Sequence, residues 1–185
     1  MNEELPITAE TKAAALLARY PELEDVLIAM APPFKKLKNP ILRGSVAKVA
    51  SLRQAAMVGR LAVEDMVNQL RAAVGQASIV VEQAAGAEAY YTEQPDWFDA
   101  EKIVATIDEK HVDPDVMTLN PVIRRASKLA DGEILELVTD FLPVPGIDLM
   151  RQKGFRSWCR EQGKTTQTYF SRQSPQDSRP GGKSA

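Results

Sequence analysis

Through the first 75 residues the chain sets apolar side chains at helical intervals and nowhere alternates them, whereas from Trp97 onward short apolar runs alternate with helix signals. That change of period constrains the fold most. A stripe repeating every ~3.6 residues buries one face of a helix, and a two-residue alternation buries one face of a strand. Ala13, Leu16, Leu17 and Tyr20 stand at i, i+3, i+4 and i+7; Leu23, Val26, Leu27 and Met30 repeat the spacing, with Pro21 suited to a first helical position. Leu52, Ala55 and Ala56 form a third stripe, opened by a capping box at Ser51 and Gln54 and stopping near Gly59. Val63, Met66, Val67, Leu70 and Val74 form a fourth, closed by Gly75. Residues 1–75 are therefore expected to form an all-α domain.

Residues 76–96 contain no Lys or Arg and carry Glu82, Glu88, Glu93 and Asp96, the composition of an acidic linker. Beyond it, Ile103 to Ile107 and Ile134 to Thr139 are predicted strands, each followed by a helix. The first helix is expected to take Asn120 as N-cap and Pro121 as first helical residue, and the second to start at Pro145. Phe155 to Glu161 and Thr165 to Phe170 then form strands joined at Gln162-Gly163-Lys164. The order is βαβαββ over 97–171, and the whole chain is α+β. Residues 172–185 hold no large aliphatic side chain and are expected to be a disordered tail.

Composition narrows the function classes. Lys and Arg number 23 against 25 Asp and Glu, a net charge of -2, so no global excess points to nucleic acid or an anionic membrane. One Cys and one His exclude an intramolecular disulfide and any site built from several such ligands, so no cofactor is expected. The acidic Met-Asn-Glu-Glu start and the lack of an apolar run of ~20 residues lead to the expectation of a cytoplasmic protein without a membrane segment.

The local charge is less even. No acid occurs between Asp25 and Glu64, while Lys35, Lys36, Lys38, Arg43, Lys48, Arg53 and Arg60 do, a basic segment suited to an acidic protein or a small anion. Ser51 to Ala73 has the outline of a helix-turn-helix, the basis of an alternative reading as a DNA-binding regulator over residues 51–73. The positions that should seat its second helix fall on Asp65 and Asn68, and Glu64 and Asp65 would meet phosphates, so nucleic acid is disfavoured. Cys159, the lone thiol, shares a strand face with Phe155 and Ser157; a second alternative makes it the centre of a sulfur or redox carrier. His111 stands among acids. In Asp140-Phe141-Leu142-Pro143-Val144-Pro145-Gly146 two prolines fix the backbone before a helix whose amides are a possible anion cradle. No Walker or dinucleotide fingerprint and no catalytic triad can be assembled.

Two resemblances follow from these residues. Leu119-Asn120-Pro121-Val122-Ile123, Ala130-Asp131-Gly132-Glu133-Ile134-Leu135, Leu142-Pro143-Val144-Pro145 and Lys153-Gly154-Phe155 together resemble the TusA/SirA-like sulfur-carrier superfamily over about residues 100–171. Within it they are most similar to a domain-of-unknown-function branch with the Pro-x-Pro turn. The resemblance implies a two-layer α/β sandwich. Active carriers hold a Cys at the head of a Cys-Pro-x-Pro motif, where this chain has Asn120, and an amide cannot hold a persulfide.

Ile7-Thr8, Arg19-Tyr20-Pro21-Glu22-Leu23, the run from Ala31 to Pro40 and Ser51 to Ala56 resemble a second uncharacterised helical family. Its relatives include hybrid-cluster-protein-associated redox-disulfide domains. Those relatives place a cysteine pair after the second helix, where this chain has Ala31-Pro32-Pro33-Phe34. The expectation is a non-enzymatic interaction or small-anion-sensing protein, with a possible link to sulfur, iron-cluster or respiratory metabolism. It would bind through Lys35, Lys36, Lys38, Arg43, Lys48, Asn120, Pro121, Pro143 and Pro145.

Overall fold

The helical stripes close on one another in a computed structural model that describes residues 5–38, 47–82, 86–112 and 119–172. They do so as α1 (Ala13–Arg19), α2 (Leu23–Met30), a 3-10 helix (Pro32–Lys38), α3 (Leu52–Gly59) and α4 (Val63–Ala73). Leu16, Leu23, Leu27, Leu52, Met66, Val67 and Leu70 form their shared core, each at most 2% exposed. The capping box is present as expected: Gln54 N donates to Ser51 Oγ (3.3 Å) while Ser51 N donates to Gln54 Oε1 (3.0 Å). α3 ends on Arg60, which takes the left-handed conformation (φ 55°) usually left to glycine. Gly59 serves a different need. A Cβ there would stand 2.9 Å from Phe34 Cζ and 3.1 Å from Ala31 Cβ, so its bare backbone is the floor on which the Phe34 ring lies.

The chain divides into two units, one running to Ala89 and taking in the loop Phe141–Pro145, the other holding the remaining described residues from Tyr90 onward. Residues 76–82, expected to open a linker, instead lie against the helical core. Val81 is buried in it, and the Asn68 amide exchanges two 2.9 Å hydrogen bonds with the Ile79 backbone. Arg71 donates to the carbonyls of Ile7 (2.6 Å) and Ala77 (2.5 Å), tying both ends of the unit to α4. These apolar anchors, Ile79 and Val81, have too short a run to register as an element in the sequence.

In the second unit β1 (Ile103–Asp108), α5 (Leu119–Ala126), β2 (Ile134–Thr139), α6 (Val144–Gln152), β3 (Phe155–Gln162) and β4 (Thr165–Arg172) follow in the expected βαβαββ order. The fold is α+β, with helices mostly N-terminal and a four-stranded mixed sheet C-terminal. The strands lie in the order β1-β2-β4-β3, with β1 parallel to β2 and β4 antiparallel to both its neighbours. A two-residue turn joins β3 to β4, with Gly163 at φ 62° where a type II′ turn takes glycine.

Register assigns the two sheet faces. Leu135 opposite Phe170, Leu137 opposite Thr168, and Cys159 opposite Thr168 share the face under α5 and α6. Ile134, Trp158 and Tyr169 share the other. That second face is covered as well, by Trp97 and Phe98 from the chain before β1, with the Phe98 ring 4.6 Å from Trp158 and 4.5 Å from Tyr169. The same stretch begins on the helix side, where Tyr90 Oη donates to Asp148 Oδ1 (2.9 Å) and Oδ2 (3.0 Å) and the Tyr91 hydroxyl lies 3.1 Å from Thr166 Oγ1. Between them Trp158 Nε1 donates to the Thr92 carbonyl (3.0 Å). Residues 90–98 thus form an arm that rounds the β3 edge from one face to the other. The expected two-layer sandwich gains a partial third layer. The tail after Arg172 lies outside the described residues.

Candidate functional site

The 3-10 helix Pro32–Lys38 carries the centre of the basic segment. Pro32 and Pro33 restrict its first turn, and Phe34 roots it, 6% exposed against Gly59. Lys35, Lys36 and Lys38 then fall in its last turn and are exposed, at the end where helix carbonyls favour positive charge. Within the same unit Lys36 Nζ stands 4.5 Å over the Phe141 ring, which joins the lysines to the loop ahead of Pro143. Among the described residues Lys35 and Lys38 make no ion pair. Lys48 is exposed between the buried Ala47 and Ala50, and Arg43 lies outside the described residues. Arg53 is spent on the fold: its Nε pairs with Glu10 (2.7 Å) and its Nη1 donates to the Glu82 carbonyl (3.1 Å).

The proline loop has a different role from the surface lysines. Pro143, Val144 and Pro145 are buried, so the prolines set the loop's course from within. Val144 N donates to the Leu142 carbonyl (2.9 Å) and Pro145 has no N–H, which removes two amides from the expected cradle. In the other unit α5 already includes Leu119, so Asn120 is a first-turn residue rather than the cap; it is exposed, with Pro121 half-buried behind it. The first turns of α5 and α6 meet there, Leu119 Cδ1 lying 3.5 Å from the position of a Cβ on Gly146. The same end of the sheet, beyond β1 and β2, holds an ion pair of Lys110 with Asp140 (3.0 Å) and a 3.3 Å contact of His111 Nδ1 with Asp108. The Asp140 carboxylate, by hydrogen bond and by charge, raises the Lys110 pKa. No group of His, Cys, Asp and Glu fit to hold a metal ion occurs among the described residues.

Cys159 lies in the core, 1% exposed, with Sγ 3.7 Å from Thr168 Oγ1. Burial pushes its thiol up to about 11, against the opposing pull of the Thr168 hydrogen bond and of Arg151. Sequence alternation could not settle which side of β3 is buried, because both are: Trp158 is 5% exposed on the opposite face. A polar cluster missed by the sequence stands beside it. Arg151 lies 5.3 Å from the Tyr90 ring centre and donates from Nε to Ser157 Oγ (2.7 Å), while burial and Asp148 hold the Tyr90 hydroxyl far above its ordinary pKa. The adjacent tyrosines in an Ala- and Glu-rich stretch were the only signal for it.

The helix pair over residues 51–73 turns at Arg60 and not at Gly59. Glu64 and Asp65 open α4, and its Asn68 face is taken by Ile79.

Residues 7–67 match the family model described as Domain of unknown function (DUF1858), a stretch that runs from the first buried isoleucine into α4. It covers about a third of the chain and is an N-terminal helical domain of unknown function. No curated protein and no solved structure matches the chain significantly.

Proposed function

We propose that the protein is a binding module that holds an acidic protein segment, or a small anion in its place, on the lysines of the 3-10 helix. The observation that carries this reading is the rooting of Lys35, Lys36 and Lys38 on Phe34 in the Gly59 notch. Lysines on a loop lose side-chain and backbone freedom on binding; here the backbone cost has been met in folding. The TusA/SirA-like resemblance of the second unit is supported by its βαβαββ order and exposed Asn120. Sulfur transfer through Cys159 draws no support from a buried thiol that stays protonated.

The test is calorimetric titration of the full chain with a poly-glutamate peptide, inorganic phosphate and a nucleoside triphosphate. The expected result is peptide binding that weakens as salt rises and falls at least about tenfold in Lys35→Gln/Lys36→Gln/Lys38→Gln, with unchanged thermal stability. Binding of phosphate alone would move the reading to a small-anion sensor. No binding at low salt, or binding indifferent to the three substitutions, refutes it.

A further inference from the structure

We propose that the free edge of β1 is the seat of a second copy of this chain, the two β1 strands pairing antiparallel about a two-fold axis. The sheet has two edge strands, and they are treated differently. The arm crosses β3, where the Trp158 indole donates to the Thr92 carbonyl and Phe98 stacks behind it. β1 bonds to β2 alone, and among the described residues no other backbone reaches its outer side.

Its sequence does not guard that side. Ile103 to Ile107 holds no charge, glycine or proline, and all but Ala105 are β-branched, the composition that edge strands ordinarily avoid when they are meant to stay single. A register shift between Ile103 and Ala105 bends the start of the strand, but the register from Ala105 to Asp108 is regular. Val104, at the shift, is 51% exposed, one of the few large aliphatic side chains so exposed among the described residues.

Charge selects the occupant. Lys102 precedes the strand, and Asp108 with Glu109 closes it. Antiparallel pairing of two copies around Ala105 and Thr106 brings Lys102 of each, which in its own chain stands 3.8 Å from Asp99, beside the second copy's Asp108, twice over by symmetry. Parallel pairing would instead set lysine by lysine. Asp108 is held in place for this by the Lys110 amide (3.0 Å) and His111. A six-residue edge is small beside ordinary stable interfaces, so the dimer is weak and depends on concentration.

The experiment is sedimentation of the full chain from micromolar to millimolar concentration at low salt, with hydrogen exchange read at both ends of the range. The expected result is a monomer-dimer equilibrium in which the amides of Ala105 to Ile107 exchange more slowly at high concentration. Val104→Lys, at a side chain already in solvent, leaves the fold intact and raises the dissociation constant at least about tenfold; Lys102→Glu weakens it in the same direction. A monomer throughout overturns the proposal. So does a dimer that ignores both substitutions, or one without slowed exchange in β1. The three lysines of the helical unit take no part, so this result stands apart from the peptide titration.

Discussion

Cys159 shows what a single residue reveals about mechanism and stability. Its thiol keeps a proton up to about 11 in the folded chain, where an ordinary thiol loses it at 9.0. Below pH 9 the proton is bound in both states and stability is unaffected; as pH rises from 9 toward 11 the unfolded chain alone ionises and stability falls. Urea midpoints measured across this window should therefore decline, and Cys159→Ala should flatten the part of the decline that begins near 9. The remainder belongs to groups such as Tyr169, whose hydroxyl burial and Glu136 push up to about 12, and it should persist in the variant. At this scale the sequence was readable where the chemistry is local. Ser51 and Gln54 announce their capping box by spacing alone, whereas the burial of Cys159 depends on what covers both faces of β3, and no spacing along β3 encodes that.

At the scale of elements, Gly59 decides where the lysines stand. Alanine in its place would gain about 1 kcal/mol of helix propensity, but its methyl would meet a buried ring at 2.9 Å, an overlap that costs about 1–3 kcal/mol. Phe34 is enclosed and cannot swing aside, so the steric term prevails. Gly59→Ala should lower the unfolding free energy and shift the backbone resonances of Lys35 to Lys38; adding Phe34→Leu should restore part of the loss. Helix and strand identities were legible here because amphipathic stripes and hairpin glycines are written into neighbouring residues. The strand order was not legible, nor was the arm. Tyr90, Tyr91, Trp97 and Phe98 follow no period, and their partners Asp148, Thr166, Trp158 and Tyr169 lie 58 or more residues away along the chain. Distant contacts of that kind leave no local trace.

For the molecule as a whole, the arm redraws the boundary of the second unit. Of two fragments, the one from Tyr90 to Arg172 should keep the packing of the aromatic face, while the one from Asp99 to Arg172 should lose it and bind more of a hydrophobic dye. The shorter piece uncovers Trp158 and Tyr169, two rings otherwise no more than 5% exposed. Near-ultraviolet dichroism of both fragments checks this, since the stacked Trp158 and Tyr169 rings, 5.3 Å apart, supply the signal. The change in composition at residue 76 follows the end of α4, whereas the first unit runs on to Ala89. The acidity of residues 76–96, however, concealed two attachments, one to each unit, made by a handful of apolar side chains among the glutamates.

The strand order also bears on biosynthesis. β4 leaves the ribosome after β1, β2 and β3, yet it lies between β2 and β3 and pairs with both. A nascent chain that has emitted everything up to Gln162 holds only one parallel pair and an orphaned third strand, and β3 cannot join the sheet until β4 is delivered. Completion of this half thus waits until β4 has been made, well after the helical half has become free to fold. A ribosome stalled or stopped before Thr165 would release a product with a finished front and an unclosed back, the kind of species that chaperones and proteases recognise.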